Sequence, residues 1–117
     1  MKKLLLIFLV LSIPSSANLK SKLKLRGLTI VHFNAKFNEL NGYPDSEKLK
    51  DVKLINIWID DDKDIKESEG IRSVPTMILY NNGKEIKRWE AGITLKLDVP
   101  YIEIQKEVDK HTGADKF

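Results

Sequence analysis

The segment Ile71–Glu85 constrains the fold more than any other part of the chain. It places Pro75 just before an apolar run, Met77–Tyr80, which is followed by Asn82-Gly83 and a more polar run, Glu85–Glu90. Asn-Gly favours a two-residue type I′ turn, because both central residues of that turn need positive φ. The segment therefore predicts a β-hairpin with a proline fixed at its entrance.

Four further segments have the pattern of regular secondary structure. Leu28–Phe33 and Val52–Ile59 are mostly apolar, β-branched runs of strand length. A short helix is predicted from Asp61 to Gly70, and an amphipathic helix, with Pro100 in its first turn, over 97–110. With a strand-to-helix crossing after the first strand, this order predicts an α/β fold in which helices flank a central mixed β-sheet on both faces.

The N-terminal residues Met1–Ala17 have the features of a signal peptide. Lys2 and Lys3 precede an apolar run, and Ser15 and Ala17 occupy positions that signal peptidase favours. The run is about ten residues long, whereas a membrane span needs about twenty. We therefore expect a cleaved signal peptide at 1–17, one domain at 18–117, an exported (periplasmic or secreted) protein and no stable membrane span after cleavage. An uncleaved anchor is the alternative.

Composition excludes several classes of function. The formal net charge of +3 includes the two leader lysines, so the remaining chain is nearly neutral and gives no support for a nucleic-acid partner. The chain has no cysteine, which removes thiol nucleophiles, disulfides and thiolate metal sites. The acidic run Asp60–Asp64 lacks the glycine and glutamate of a calcium loop and is interpreted as the charged start of a helix. We expect no metal and no cofactor.

Over residues 28–110 the chain resembles the thioredoxin family. Ile71–Thr76 matches the family's segment around a cis proline, and Asn82-Gly83-Lys84 matches its hairpin. Ile57–Asp60 resembles a family strand that ends in aspartate, and Val31–Phe37 resembles the strand that leads into the active site. The resemblance implies a thioredoxin-like fold.

The active-site motif of that family is degenerate in this chain. Asn38-Glu39-Leu40-Asn41 stand where the family has Cys-Gly-Pro-Cys, and His32 stands where many relatives keep a buried aspartate. Gly42 and Pro44 also interrupt the helix that follows the motif. Thiol–disulfide exchange needs an attacking thiolate, so we expect no such activity and assign no catalytic residue.

The resemblance implies that the main chain of Val74, before the proline, pairs with an extended peptide, an instance of strand addition. The candidate peptide-binding residues are Phe37, Asn38, Val74 and Pro75. The alternative is that Pro75 only shapes the turn into the next strand. Asn38 and Asn41 could bind a peptide backbone, but a helix start is the favoured interpretation.

The predicted function is therefore an exported, redox-inactive protein that binds a protein or extended peptide non-covalently. One alternative is an enzyme of the same superfamily that borrows an external thiol such as glutathione. Another is a structural subunit with an interface built from a cross-strand pair of Tyr80 and Trp89. Trp58 is predicted to be a core residue, with the opposite face as the alternative because it alternates with Ile57 and Ile59. His32 is predicted to be a core residue and not a general base, because it lies in an apolar strand and no nucleophile lies near it in the sequence.

Overall fold

The structure, a computed structural model, describes residues 23–112. Within this range four strands form one mixed sheet. The predicted signal peptide lies outside the described residues. The strands are β1 (Leu28–Asn34), β2 (Lys53–Trp58), β3 (Thr76–Asn81) and β4 (Lys84–Glu90). The helices that lie wholly within this range are α1 (Lys63–Ser68), α2 (Tyr101–Thr112) and three 3-10 helices at Lys36–Asn41, Pro44–Lys48 and Ile59–Asp61. None of the helices in 23–112 is long and apolar enough to cross a membrane.

The sheet has the order β2-β1-β3-β4, with β1 parallel to β2 and antiparallel to β3. The connection between the parallel strands is made of two 3-10 helices. The first ends before Gly42, and Pro44 occupies the first turn of the second. Short 3-10 turns suit such a segment because a proline cannot continue a regular helix. The predicted interruption at Gly42 and Pro44 is therefore confirmed.

The predicted hairpin joins β3 to β4. Asn82 and Gly83 have φ angles of 52° and 85°, the positive values that the turn needs. The Asn82 side chain also accepts a hydrogen bond of 2.7 Å from the main-chain N–H of Gly27, and the Asn82 N–H donates to the Gly27 carbonyl. The turn is thus attached to the residue that precedes β1.

Alternate residues of the strands build a core on each face of the sheet. On one face Val31, Phe33 and Ile78 pack against Ile65 of α1. On the other, Ile30, Met77 and Leu79 pack with Ile104 and Val108 of α2. The predicted arrangement, a mixed sheet with helices on both faces, is confirmed.

The ends of α1 set the path of the segment that leads to Pro75. The Asp62 carboxylate accepts the Ile65 N–H at 3.1 Å and caps the first turn. Gly70 has a φ of 63°, the left-handed conformation that commonly ends a helix. The Arg88 guanidinium then donates to the carbonyls of Glu69 and Gly70 at 2.8 and 3.1 Å. β4 therefore holds the carboxyl end of α1.

The last helix begins four residues later than predicted. The residue before a proline is disfavoured in helical conformation, and Pro100 restricts Val99 in this way. The Tyr43 hydroxyl donates to the Val99 carbonyl at 2.5 Å, which ties this residue to the loop between the two 3-10 helices. The segment 97–100 therefore packs as a loop, and α2 follows it.

Candidate functional site

Asn38, the first position of the degenerate motif, is a buried structural residue with 3% of its surface exposed. Its Nδ2 group donates to Asn34 Oδ1 and to the Leu95 carbonyl, each at 3.1 Å. Its Oδ1 accepts from Asn41 Nδ2 at 2.9 Å. Both protons of the Asn38 amide are thus used inside the protein, so its side chain has no donor left for a ligand.

Asn38 is not the cap of the 3-10 helix either. Ala35 occupies the N-cap position, with no side-chain capping bond, and Asn38 lies inside the helix with non-helical φ and ψ of −109° and 20°. Asn34 Nδ2 reciprocates by donating to the Asn38 carbonyl at 3.1 Å. The two asparagines at the motif positions therefore form a network that connects the end of β1, the 3-10 helix and the loop at Leu95.

His32 lies on β1 opposite Asn56 of β2, and its Nδ1 is 3.0 Å from Asn56 Oδ1. With that oxygen as acceptor, Nδ1 carries the proton, and Nε2 is a buried atom without a hydrogen-bond partner in residues 23–112. Burial lowers the pKa of His32, and the bond to Asn56 opposes this only in part. The imidazole is therefore a neutral, partly buried group of the sheet.

A groove of about 650 Å³ lies beside the segment that precedes Pro75. Its lining is mostly apolar and includes two strongly exposed side chains, Phe37 (73%) and Ile93 (99%). Val74 also lines it, although the Val74 side chain is itself buried. The remaining lining residues are Ile59, Lys66, Ile71, Arg72, Ser73, Ala91, Gly92 and Leu95.

The main chain around Pro75 is only partly paired. The Val74–Pro75 peptide bond is cis, and the Pro75 carbonyl accepts the Ala91 N–H at 3.1 Å. Thr76 Oγ1 donates to the Ser73 carbonyl at 2.8 Å. Within residues 23–112 no hydrogen bond uses the main-chain N–H or carbonyl of Val74. This residue therefore combines an apolar side chain with unpaired main-chain groups beside the groove.

The predicted peptide-binding residues thus separate in space. Phe37 and Val74 share the groove, Pro75 adjoins it in the chain, and Asn38 faces inward. Two residues of the motif, Glu39 and Leu40, are exposed, but neither lines the groove. Sequence reasoning missed Ile93; its one signal was an isolated apolar residue after Ala91-Gly92, outside any periodic segment.

The aromatic residues do not form the predicted interface. In the β3–β4 register Trp89 pairs with Met77 and Tyr80 with Glu85, so a cross-strand Tyr80–Trp89 pair is wrong. A register shift at Leu79/Tyr80 separates them, and they pack on opposite faces of the sheet. Trp58 was predicted to lie in the core, but 39% of it is exposed. Tyr80 is buried, with its hydroxyl donating to Glu69 Oε1 at 2.6 Å.

Comparison with known proteins identifies the fold. No family model and no curated sequence match the chain. Among solved structures, a thioredoxin mutant from Halobacterium salinarum has a TM-score of 0.63 at 16% identity, covering 86% of this chain and 88% of that chain. A thioredoxin from Fasciola hepatica gives 0.59 at 17% identity (80% and 88% covered), and one from Nicotiana alata gives 0.55 at 24% identity (86% and 96% covered).

These likenesses establish that the chain has a thioredoxin-like fold. The sequence carries no cysteine, so the fold is present without the Cys-x-x-Cys motif. Asn38 and Asn41 are hydrogen-bonded within the protein, Glu39 and Leu40 are exposed, and the neighbouring groove is open.

Proposed function

We propose that this chain is an exported, redox-inactive thioredoxin-like protein that binds a protein or an extended peptide non-covalently. The binding surface is the groove lined by Phe37, Val74 and Ile93. The observation that carries the proposal is the exposure of two large apolar side chains, Phe37 and Ile93, beside the unpaired main chain of Val74.

An extended peptide satisfies both features of this surface. Its main chain can hydrogen-bond to the N–H and carbonyl of Val74, as in strand addition, while one of its side chains enters the apolar groove. The volume of about 650 Å³ lies in the range of ordinary ligand pockets. The peptide would replace water on Phe37 and Ile93, and that apolar burial would supply much of the affinity.

The absence of cysteine supports the redox-inactive part of the proposal. An attacking thiolate and a resolving group are both required for thiol–disulfide exchange. We expect that the purified protein will not speed the reduction of insulin disulfides by dithiothreitol above the protein-free rate. A faster rate would contradict the proposal.

Export rests on the basic, apolar and small-residue pattern of Met1–Ala17. Mass spectrometry of the protein recovered from the envelope or medium tests it. The expected mature N-terminus is Asn18. Recovery of the chain with its leader intact, in the cytoplasm alone, would contradict export.

Binding is tested by following main-chain amide shifts of the labelled protein during titration with a mixture of extended peptides. Shifts should concentrate at Ser73, Val74, Gly92 and Ile93, because these residues line the groove. Absence of shifts there would contradict peptide binding. Titration with glutathione is the matched experiment: shifts near Val74 would favour the external-thiol enzyme instead.

A further inference from the structure

The charged side chains that line this groove all have the same sign. The charged residues that line it, Lys66 and Arg72, are both cationic, and no carboxylate is among its lining residues in the described part of the chain. Another large groove, between β4 and α2, differs in this respect. It is lined by Lys87, Lys106 and Lys110 but also by Glu103 and Glu107. Within the described residues the lining of the groove beside Val74 therefore carries positive charge and no carboxylate, although Glu90, outside the lining, pairs with Arg72.

Lys66 has no counter-charge among residues 23–112. Within residues 23–112 no carboxylate forms an ion pair with its ammonium group. Lys36 is different: its ammonium lies 2.9 Å from Asp61 Oδ1, and its main-chain N–H donates to Asp60 Oδ1. Lys66 can therefore meet an external carboxylate without losing a partner.

Arg72 is held only loosely. One guanidinium nitrogen lies 3.2 and 3.4 Å from the two oxygens of Glu90, and 78% of the Arg72 side chain is exposed. Glu90 is also shared with Arg88, at 3.5 Å. An exposed pair of this kind contributes little to stability, so Arg72 can turn to a ligand at small cost.

The two cations come from main-chain segments that are bonded to each other. The Ile71 N–H donates to the Lys66 carbonyl at 3.0 Å, which keeps the residue before Arg72 against the end of α1. The two exposed apolar side chains come from other segments: Phe37 from the first 3-10 helix and Ile93 from the loop after β4. The surface thus offers an apolar contact and a positive contact from separate parts of the chain.

We infer that the preferred occupant of the groove is an extended peptide with an apolar anchor residue close to Asp or Glu. This inference rests on the proposed peptide-binding function and adds the chemistry of the partner. The anchor packs on Phe37 and Ile93, and the acidic side chain pairs with Lys66 and Arg72. Complementary charge of this kind favours one partner over another and is weakened by salt.

The test uses three acetylated, amidated peptides of about ten residues, long enough to cross the groove when extended. All three share one central Leu, which is flanked by Asp and Glu, by Ser and Asn, or by Lys. Binding to the full chain without its leader is measured by fluorescence anisotropy. We expect the acidic peptide to bind about three- to tenfold more tightly than the neutral one at low salt, and the difference to shrink at about 0.5 M salt.

Charge-reversal variants give the second arm. Lys66→Glu and Arg72→Glu should each reduce the preference for the acidic peptide, and together they should favour the Lys-flanked peptide. Lys87→Glu, in the groove between β4 and α2, is the matched control and should change nothing. If either reversal unfolds the chain, Lys66→Gln and Arg72→Gln remove the charges with less disturbance and should still equalise the acidic and neutral peptides.

The outcomes separate the inference from the function on which it rests. If all three peptides bind with equal affinity and shift the amides around Val74, the charge preference is wrong and peptide binding stands. If none binds, the proposed function itself fails. Tighter binding of the acidic peptide that persists in the double charge-reversal variant would also overturn the role of Lys66 and Arg72.

Discussion

The 3-10 helix at Lys36–Asn41 and the groove beside Val74 are adjacent, since Phe37 belongs to both, but they differ in their polar contacts. In the helix, the polar Asn38 is buried, while the apolar Phe37 and Leu40 are 73% and 96% exposed. This is the reverse of the usual amphipathic arrangement, in which apolar residues face the core. The exposed Phe37 then forms part of the groove.

The contrast is between a polar position that is bonded inside the protein and a neighbouring groove whose large apolar side chains are exposed. Asn38 closes the motif by bonding to Asn34, Asn41 and the Leu95 carbonyl. Within residues 23–112 no hydrogen bond uses the main chain of Val74, and the apolar side chains of Phe37 and Ile93 that line the groove are largely exposed. Contiguous exposed apolar groups of this kind are a common mark of an interaction site.

The largest expected effect comes from removing the buried hydrogen bonds of Asn38. Asn38→Ala removes two donors and one acceptor and leaves Asn34 Oδ1 and the Leu95 carbonyl without their Asn38 partner. Each such buried loss costs about 1–3 kcal/mol, so we expect the free energy of unfolding to fall by about 2–4 kcal/mol in urea denaturation.

Asn41→Ala is the matched control for that variant. It removes one part-buried bond, the 2.9 Å contact to Asn38 Oδ1, and should cost about 0.5–1 kcal/mol. Equal losses in the two variants would show that Asn38 is not the centre of the network.

A somewhat smaller effect is expected from Arg88 of β4, which bonds to the carboxyl end of α1. Arg88→Met removes the bonds to the Glu69 and Gly70 carbonyls and the two contacts of 2.8 and 2.9 Å to the Glu85 carboxylate. Hydrogen bonds of charged groups contribute about 1.5–3 kcal/mol net, and we expect a loss of that size in the free energy of unfolding.

Arg72→Met is the control for Arg88, since its ion pair is exposed and should be worth at most about 1 kcal/mol. The measurement is again urea denaturation of both variants. If Arg72→Met destabilises the fold as much as Arg88→Met, then Arg88 does not hold the end of α1 in the way its contacts indicate.

Phe37→Ala tests the exposed apolar surface of the groove. Because Phe37 is largely exposed, its removal should change the free energy of unfolding by no more than about 0.5 kcal/mol. Loss of its contact with the anchor should weaken binding of the acidic peptide about tenfold, equivalent to about 1.4 kcal/mol. Anisotropy titration measures the affinity.

Leu40→Ala is the matched control for Phe37→Ala. Leu40 is even more exposed but does not line the groove, so its removal should leave peptide affinity unchanged. A similar loss in both variants would indicate general adhesion to exposed apolar residues and not recognition in the groove.

Local signals determine most of the fold, and for that reason the sequence predicts it well. The positive φ angles at Asn82 and Gly83 follow from residue type, and the burial of most of β1 follows from a continuous apolar run. The start of α2 was misplaced although Pro100 was visible, because the contact that keeps Val99 in the loop comes from Tyr43, distant in sequence.

The candidate site was predicted less completely because it depends on long-range contacts. The Leu95 carbonyl that fixes Asn38 lies 57 residues away in the chain, so nothing local indicates that Asn38 faces inward. Ile93 and Lys66 belong to segments with no motif, and only the folded chain brings them beside Val74. The opposite orientations of Tyr80 and Trp89 likewise follow from a register shift that residue types do not reveal.

The smallest predicted effect is a pH dependence of stability that comes from His32 of β1. Burial lowers the pKa of His32 in the folded protein below the ordinary value of 6.5, so below pH 6.5 the unfolded chain binds more protons than the folded one. Stability should therefore fall as the pH drops from about 6.5 toward the lowered pKa, by at most about 1.4 kcal/mol per pH unit.

Glu85 and Glu107 also have lowered pKa values, but carboxylates of this kind lose their contribution to stability below about pH 4.5. Urea denaturation at pH 7.5 and 5.5 isolates the histidine, and His32→Gln should remove the difference; a difference that survives this substitution would assign the pH dependence to another group.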